Sequence, residues 1–368
     1  MRVYIAAHLG TRIWGGAERA TTLLLAGLRK RGHRVQLFCN EPLVAEKAAA
    51  MGVPARVLAI GGDAALPHAL RFALVLRKDR PDALVVAGWK KVPLASLGAR
   101  LAGVPRVVAR VGLEGHAPRG PKYRLALRWW VDAVVVNASR LRPAFTALPG
   151  WTPARVPVIH NAVHPHPARH SPAEVRERLG IPPGAPVVGA VARLARQKRF
   201  DRLLEAVAAL PADVHCVLAG EGRRREELEA LADRLGLGTR VHFPGWRADP
   251  ADVLGAFDVF AVTSDKEGMS NAMLEALAAG VPVVSTPVSG ADDALAPLAD
   301  GAAPGIVTRG FEVEEIADAL RSVLEDPGRR AAMADAARRA AAERFDFERM
   351  LDRWEAVLGG GRPADPPK

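Results

Sequence analysis

Several residue types and patterns that identify common protein classes are scarce or missing in this chain of 368 residues. The two cysteines, Cys39 and Cys216, lie far apart in apolar runs, which excludes a disulfide framework and a cysteine-rich metal site and favours a reducing cytoplasm. Aromatic residues make up 5% of the chain, too few for a platform that stacks nucleic-acid bases. No run of about 18 uncharged apolar residues occurs, so no helix is expected to span a bilayer. The opening MRVYIAAHLG is too short for a signal-peptide core and predicts a buried strand.

Acidic residues are scarce in the first half only. Residues 1–168 hold 25 lysines and arginines against 8 acids, whereas residues 169–368 hold 26 against 32, so a net charge of +11 divides into +17 and −6. This asymmetry indicates that the first half faces something anionic, such as a membrane, a phosphorylated acceptor or nucleic acid. General use of arginine as a solubilising residue is the alternative, but it does not explain why acids are missing from one half.

Short runs rich in valine, isoleucine and alanine alternate with helical segments along the chain. Such runs are typical of strands buried on both faces, and their alternation with helices predicts parallel sheets with right-handed crossovers. Two successive sets predict an α/β protein with two Rossmann-like domains. The predicted strands are Arg2–Ala7, Val35–Cys39, Arg56–Ile60, Ala83–Ala87, Val107–Val111, Val134–Asn137 and Val156–His160, then Val187–Leu194, Val214–Ala219, Val241–Phe243, Val259–Thr263, Val281–Ser285 and Ile306–Thr308.

The predicted domain boundary lies in a proline- and histidine-rich stretch, which can sustain neither a strand nor a long helix. The N-terminal domain is expected over residues 1–165 and the C-terminal domain over 166–345. A closing segment over residues 346–358 contains a helix, Phe347–Leu358, which follows an Ala/Arg-rich helix, Pro327–Arg344. The Gly/Pro-rich tail, residues 359–368, is expected to be flexible.

Two loops that follow predicted strands have the composition of anion-binding sites, and ligands of parallel sheets bind at the carboxyl ends of strands. After the first strand, Gly15 and Gly16 precede a helix whose N-terminal N–H groups suit an anion, although two such glycines are more often a plain turn. After the first strand of the second half, Arg193 and Lys198 lie five residues apart. They suit a diphosphate leaving group, whose charge grows as its bond breaks. A solvated basic loop is the alternative.

The strongest local signal is the segment 263–286, TSDKEGMSNAMLEALAAGVPVVST. Glu267 and Gly268 predict a tight turn after a strand, and Ser270 is a good N-cap for a helix that extends to about Ala279. The N–H groups near Ser270 are therefore expected to form an anion site opposite the two cations after the other strand.

Two glutamates in this segment are candidate ligand-binding residues. Glu267 precedes the predicted helix, and Glu275 lies eight residues later, within the helix and among apolar neighbours. An acid in an apolar setting is expected to hold hydroxyl groups or a cation. A first-turn acid that stabilises the helix dipole and a solvated helix face are the alternatives for the two positions.

The spacing of these glutamates, EGMSNAMLE, resembles the E-x(7)-E signature of glycosyltransferase family 4, the retaining nucleotide-sugar transferases with the GT-B fold. The resemblance covers nearly the whole chain, and it is the combination of motifs that is specific. The other matching motifs are GGAER at 15–19, VARL followed by Gln197–Lys198, AGEG at 219–222, HFPGW at 242–246 and the run Pro282–Gly290. The resemblance implies two Rossmann-like domains that face each other across a cleft, with the closing helix crossing back to the first domain.

The resemblance also implies roles for individual residues. Glu267 would hold hydroxyls of the transferred sugar, and Glu275 would hold the nucleotide ribose. Arg193 and Lys198 would grip the diphosphate, so that Glu267, Arg193 and Lys198 are the expected catalytic residues. The expected donor-binding residues are Gly15, Gly16, Gly268, Met269, Ser270, Asn271, Glu275, Trp246 and Arg247.

The sequence departs from the family pattern at two places. Many members have a histidine in a His-Gly step after the fifth strand, where this chain has Gly112. His116, four residues further on, is the candidate replacement and the fourth expected catalytic residue, and a surface histidine is the alternative reading. At the domain junction, where members often have N-G-V-D, this chain has Asn161-Ala162-Val163-His164.

The stretch from Arg100 to Trp130 is the expected acceptor side. Its cations are Arg100, Arg106, Arg110, Arg119, Lys122, Arg124 and Arg128, against the single acid Glu114. Tyr123, Leu127 and Trp130 recur at helical spacing within it, which fits a basic amphipathic helix on an anionic membrane surface. An ordinary buried face with solvated arginines fits equally well.

These features predict a glycosyltransferase that moves a sugar from a nucleotide-diphosphate donor to a hydroxyl acceptor, in cell-surface glycan or glycolipid biosynthesis. The family resemblance implies that the reaction retains the anomeric configuration. The expected partners are the nucleotide sugar and a glycan or lipid-linked acceptor, without nucleic acid, metal or other cofactor. The expected location is cytoplasmic, peripheral on the inner face of the membrane. The alternatives are a GT-B-fold nucleotide-sugar epimerase and a non-enzymatic anion- or nucleic-acid-binding protein; the latter leaves Glu267 and Glu275 unexplained.

Overall fold

Two six-stranded parallel sheets organise the chain, which confirms the predicted α/β class with two sheets of the Rossmann type. The structure is a computed structural model and describes residues 4–9, 14–58, 66–115, 120–163, 168–246, 250–363 and 365. The chain divides into two units, Met1–Asn161 with Glu348–Pro366, and Ala162–Phe347.

The first unit has the strand order β3-β2-β1-β4-β5-β6. Its central strands read as continuous apolar runs because helices cover both faces of the sheet, and every residue of β4 and β6 is buried. The strands are β1 (Tyr4–Leu9), β2 (Arg34–Cys39), β3 (Ala55–Val57), β4 (Ala83–Val86), β5 (Arg106–Val111) and β6 (Ala133–Val136). The helices are α1 (Gly16–Lys30), α2 (Pro42–Ala50), α3 (Leu66–Asp79), α4 (Val92–Leu101), α5 (Pro121–Trp129) and α6 (Pro143–Thr146).

The second unit has the strand order β12-β11-β10-β7-β8-β9, so that β7 and β10 lie side by side at its centre. The strands are β7 (Val187–Val191), β8 (His215–Ala219), β9 (Val241–His242), β10 (Val259–Val262), β11 (Val283–Ser285) and β12 (Gly305–Val307). The helices are α7 (Pro172–Arg178), α8 (Phe200–Ala208), α9 (Arg225–Arg234), α10 (Ala251–Gly255), α11 (Asn271–Ala278), α12 (Ala291–Leu295), α13 (Val313–Leu324) and α14 (Pro327–Arg344). The last helix of the chain is α15 (Phe347–Leu358).

One predicted strand does not form. The segment Val156–His160 makes only an isolated bridge between Val158 and Val136. The amide of Val136 donates to the carbonyl of Pro157 at 3.1 Å, and the amide of Ile159 donates to the carbonyl of Val136 at 2.9 Å. Because Pro157 has no N–H group, the segment cannot continue a regular ladder toward its start.

The unit limits fall a few residues from the predicted ones, after Asn161 rather than residue 165 and after Phe347 rather than residue 345. Glu348–Pro366 belongs to the first unit because α15 is bonded to that unit. The Arg31 guanidinium donates to Glu348, Asp352 and Glu355 at 2.6–2.8 Å. Burial opposes that charge, but these hydrogen bonds outweigh it and raise the pKa of Arg31 above its ordinary value.

The tail is also partly bonded: Asp365 forms an ion pair with Arg142. None of the helices formed by the described residues is both long and apolar enough to cross a membrane.

Candidate active site in the second unit

The loop after β7 carries the predicted cationic pair. It ends in a single turn of 3-10 helix, Arg196–Lys198, and then Arg199 adopts a left-handed backbone with φ of 50° before α8 begins. This conformation costs a non-glycine residue about 1–2 kcal/mol. Arg199 is held in it by ion pairs with Asp201 at 3.0 Å and Asp265 at 3.1 Å. Burial opposes the charge of Arg199, but these partners outweigh it and raise its pKa above the ordinary value.

The loop after β10 carries Glu267 and the N-terminus of α11. Ser270 is the N-cap, as predicted, and its hydroxyl accepts a hydrogen bond from the amide of Met273 at 3.4 Å. The Ser264 hydroxyl donates to Glu267 Oε1 at 2.9 Å. Lys198 Nζ contacts the same carboxylate oxygen, in a pair whose side chains are 22% and 12% exposed. Lys198 and Glu267, predicted on separate elements, therefore form one ion pair.

Direct hydrogen bonds tie the two loops together. The Thr263 hydroxyl bonds the carbonyl oxygens of Lys198 at 3.0 Å and Arg199 at 3.1 Å. The amide of Asp265 donates to the carbonyl of Gln197 at 3.0 Å, and the Gln197 side chain donates to the carbonyl of Lys266 at 2.6 Å. The position of Lys198 is thus set by the end of the neighbouring strand.

Three glycines allow backbone segments to meet around these loops. A Cβ on Gly290 would lie 2.3 Å from the carbonyl oxygen of Gly268. A Cβ on Gly220 would lie 1.9 Å from the carbonyl oxygen of Ala192, and one on Gly222 would lie 2.2 Å from that of Leu194. No other residue fits these positions without backbone movement. The AGEG motif and the run that ends at Gly290 therefore pack directly against the loops that carry Arg193 and Glu267.

A pocket opens where β7 and β10 end. Its polar lining includes Lys198, Thr263, Ser264 and Ser270, and its floor is made by apolar strand residues such as Phe260. The cation and the first turn of the helix suit an anionic ligand, whereas the hydroxyl hydrogens of Thr263 and Ser264 are already donated to carbonyl oxygens and to Glu267.

The other predicted residues of this unit have different settings. Arg193 is exposed, and its guanidinium has no hydrogen-bond or ion-pair partner among the described residues. Gly268 and Met269 are buried in the turn before α11, and Asn271 is its first residue. Glu275 is half-buried in that helix, and Trp246 is 58% exposed. Arg247 lies outside the described residues.

Sequence reasoning missed the residues that support the site. Ser264, Asp201 and Asp265 hold Glu267 and Arg199 through the contacts above. The available signal was position: Asp265 lies three residues after β10, and Asp201 lies two residues after Arg199, in the first turn of α8. Opposite charges at neighbouring strand ends are expected to pair.

In the first unit, Gly15 and Gly16 form the start of α1. The Gly15 amide donates to the Glu18 carboxylate at 2.9 Å, so this N–H group already has an anionic partner from its own helix. Gly112 follows β5 directly, and a Cβ there would lie 3.0 Å from the Asn137 side-chain nitrogen, so a larger residue would crowd Asn137. His116 lies outside the described residues.

Three arginines of the predicted acceptor stretch are bonded within the first unit, whereas Arg124 and Arg128 are exposed. Arg100 pairs with Asp132 at 2.7 Å, and Arg106 donates to the carbonyl of Val357 at 3.0 Å. Arg110 donates to Thr21 at 2.6 Å and to Asn161 at 2.8 Å, and burial lowers its pKa to about 10 against the opposing charge of Glu18.

The stripe predicted from helical spacing also faces the core. The Tyr123 ring stacks on Trp89 at 5.1 Å, Leu127 is buried, and Trp130 packs against the same cluster. These three residues therefore form a buried face, which was the alternative to a membrane-facing stripe. Within the described residues, no group of three or more His, Cys, Asp or Glu side chains could hold a metal ion.

Two family models match the chain. The model for glycosyl transferases group 1 matches residues 172–340, and the model for glycosyltransferase family 4 matches residues 14–166. Together they include both units and the site described above.

Solved structures share the fold. The HepE protein of Anabaena, solved with UDP-glucose, superposes with a TM-score of 0.82 at 23% identity, over 98% of this chain and 100% of that one. A glycosyltransferase of Rickettsia africae gives a TM-score of 0.84 at 16% identity, over 98% of both chains. At such identities the likeness establishes the fold alone.

Two relatives of known class have a higher sequence identity to this chain than these solved structures have. The lipopolysaccharide core biosynthesis glycosyltransferase LpsE of Rhizobium meliloti is 36% identical over 289 residues, which are 78% of this chain and 79% of LpsE. A GDP-mannose-dependent alpha-(1-6)-phosphatidylinositol monomannoside mannosyltransferase of Mycolicibacterium smegmatis is 33% identical over 294 residues, 74% of this chain and 75% of that one. The predicted transferase class is thereby confirmed. The chain belongs to the group 1, family 4 glycosyltransferases.

Proposed function

We propose that this glycosyltransferase moves a sugar from a nucleotide-diphosphate donor to a hydroxyl of a glycan or lipid-linked acceptor, with retention of the anomeric configuration. The observation that carries the proposal is the pocket at the ends of β7 and β10, which is lined by Lys198 and by Ser270, the N-cap of α11. Arg193, on the loop after β7, is exposed and has no ion-pair partner among the described residues. The names of the LpsE and phosphatidylinositol mannoside relatives support a role in cell-surface glycan or glycolipid assembly.

In the proposed mechanism the protein stabilises the leaving group. Lys198 exchanges its contact with Glu267 for the donor diphosphate, Arg193 adds a second cation, and the amides near Ser270 add the positive end of a helix. The freed Glu267 carboxylate then accepts hydroxyls of the transferred sugar, and Glu275 accepts those of the ribose.

The acceptor hydroxyl attacks the face of the sugar from which the phosphate departs, and the departing phosphate oxygen takes the hydroxyl proton. The bond from the anomeric carbon to the acceptor oxygen replaces the bond to the phosphate oxygen, so charge and protons balance without a protein base. The side-chain cations replace a metal ion in this proposal, and positioning supplies the rest of the rate enhancement.

Donor identity is tested by thermal stabilisation with UDP-, GDP- and ADP-sugars, because a ligand at 100 times its dissociation constant adds about 2.7 kcal/mol to stability. HepE was solved with UDP-glucose, which makes it the first donor to try. Lys198→Ala is expected to lower turnover by about 10²–10³-fold, because it removes charge stabilisation in the transition state.

Glu275→Ala is expected to weaken donor binding by about 1.5–3 kcal/mol, the range for hydrogen bonds to a charged group. The matched control is Glu205→Gln, an exposed acid on α8. Unchanged donor affinity and rate in both site variants would contradict the assignment.

The proposal also includes a location on the cytoplasmic side. Both cysteines are buried free thiols, which fits a reducing compartment.

A further inference from the structure

A set of exposed apolar side chains lies on one helical layer of the first unit. Ten large apolar residues are substantially exposed in the described chain, and six of them belong to α3, α4 and α5. We call these six, with the cations that border them, the helical surface: Leu66, Leu70, Leu74, Leu101, Leu125 and Trp129. The most exposed are Leu74 at 69% and Trp129 at 63%.

The geometry of the helices places these residues on one side. Right-handed crossovers put α3, α4 and α5 on the same face of the sheet, and α4 packs between the other two. Leu66, Leu70 and Leu74 follow each other at intervals of four residues and form a single stripe. Phe72 and Leu76 of the same helix are fully buried. The stripe is therefore a second apolar face, beside the one that packs on the sheet.

The charge around the stripe has one sign. The three helices contain seven lysines and arginines and one acid, Asp79, which is paired with Arg56 at 3.0 Å. Arg71, Arg77 and Lys78 are exposed and have no ion-pair partner among the described residues. On α5, the Arg128 guanidinium lies 5.1 Å from the ring of Trp129. Apolar side chains bordered by cations suit the boundary between acyl chains and anionic headgroups.

We propose that the helical surface docks on an anionic lipid bilayer, with leucines and Trp129 in the acyl boundary and the cations at the headgroups. A second copy of the chain is a poorer occupant, because a symmetric contact would set these unpaired cations against their own copies. The proposal deepens the proposed function by bringing the enzyme to a lipid-linked acceptor. From the predicted stretch Arg100–Trp130 it keeps the outer face of α5 and adds α3, whereas Arg100, Arg106 and Arg110 are bonded within the first unit.

Vesicle sedimentation of the full chain tests this proposal, with vesicles of equal parts phosphatidylglycerol and phosphatidylcholine compared with phosphatidylcholine alone. Leu74→Glu is expected to lower the partition onto the mixed vesicles about tenfold or more, because one leucine no longer enters the apolar layer. Arg77→Gln is expected to lower it about fivefold, and added salt should reduce wild-type binding. The matched control is Leu43→Glu on α2, an exposed leucine on the other face of the sheet, which should bind as wild type does.

Three results would overturn the proposal. They are equal binding to both kinds of vesicle, equal loss in Leu43→Glu and Leu74→Glu, and a concentration-dependent dimer that Leu74→Glu dissociates while no vesicle binds. Folding is checked by thermal unfolding, and donor affinity is measured by thermal stabilisation without vesicles. Intact donor binding with failed vesicle binding rejects the docking surface alone, whereas failed donor binding with intact vesicle binding rejects the proposed function alone.

Discussion

Replacing Glu267 with glutamine is expected to tighten the binding of UDP while it slows sugar transfer. Lys198 Nζ contacts Glu267 Oε1, and both side chains are mostly buried, so a diphosphate must compete with this carboxylate for the lysine. A diphosphate oxygen bound by Lys198 would lie about 5 Å from the carboxylate, where two unit charges repel by about 3 kcal/mol at an effective dielectric constant of about 20. Solvent at the pocket mouth reduces this to about 1–2 kcal/mol, or a five- to thirtyfold gain in UDP affinity.

Turnover should fall in Glu267→Gln, because in the proposed function the Glu267 carboxylate accepts hydrogen bonds from hydroxyls of the transferred sugar. Loss of one charged hydrogen bond in the transition state corresponds to about 1.5–3 kcal/mol, roughly a ten- to hundredfold fall in rate. Isothermal titration with UDP measures the first effect, and initial rates with saturating donor measure the second. Lys198→Ala serves as the opposite case, since it should weaken UDP binding and slow transfer together.

Glu205→Gln is the control for a change of charge elsewhere in the second unit, and it should leave both quantities unchanged. Weaker UDP binding in Glu267→Gln would refute the competition, because it would mean that the carboxylate helps the diphosphate to bind. Equal UDP affinity in Glu267→Gln and wild type would show that Lys198 is not shared between the two anions.

Further predictions concern support of the site and stability. Gly290→Ala should destabilise the protein by about 1–3 kcal/mol and weaken donor binding, because its Cβ would lie 2.3 Å from the backbone of the turn before α11. Gly255→Ala is the control, since the nearest atom to its Cβ is 3.9 Å away, and it should change neither quantity. Thermal unfolding measures the stability of both variants, and UDP titration measures their donor binding. His215 and His242 share a hydrogen bond of 2.9 Å, and burial lowers the pKa of both below 6.5. As the pH drops, these histidines take up protons in the unfolded chain before they do so in the folded protein, so stability should fall as the pH drops through 6.5. In His242→Gln, the melting temperature should fall less steeply between about pH 7 and pH 5. Arg31→Met should cost about 1–2 kcal/mol, since it removes all the ion pairs to α15 made by that guanidinium; an unchanged denaturation midpoint would contradict this.

Much of the fold follows from local pattern. Twelve of the thirteen predicted strands form, because continuous apolar runs in an α/β chain are typical of strands that helices bury on both faces. The helices Pro327–Arg344 and Phe347–Leu358 occur with the predicted limits, since Asp326 with Pro327 starts one and a strong apolar stripe defines the other. At Val156–His160, Pro157 lacks the N–H group that would extend the ladder toward the start of the segment.

The site was predictable in outline but not in its pairing. Ser270 caps α11 because side-chain capping is a local interaction, visible in the sequence. The contact of Lys198 with Glu267 depends on β7 and β10 being neighbours, and strand order is a property of the whole sheet. The left-handed Arg199 is held by partners 2 and 66 residues away. Nor did spacing distinguish Leu127, which is buried, from Leu125 two positions earlier, which is 48% exposed.

The late position of α15 in the chain has a consequence for biosynthesis. The residues that pair with Arg31 emerge from the ribosome only after the whole second unit has been made. At a translation rate of about 5–20 residues per second, the first unit lacks its last helix for tens of seconds. Throughout that interval Arg31, His33 and Arg106 lack the partners that α15 supplies. The second unit, by contrast, is built from one uninterrupted stretch, so it can complete its own contacts first although it is translated later.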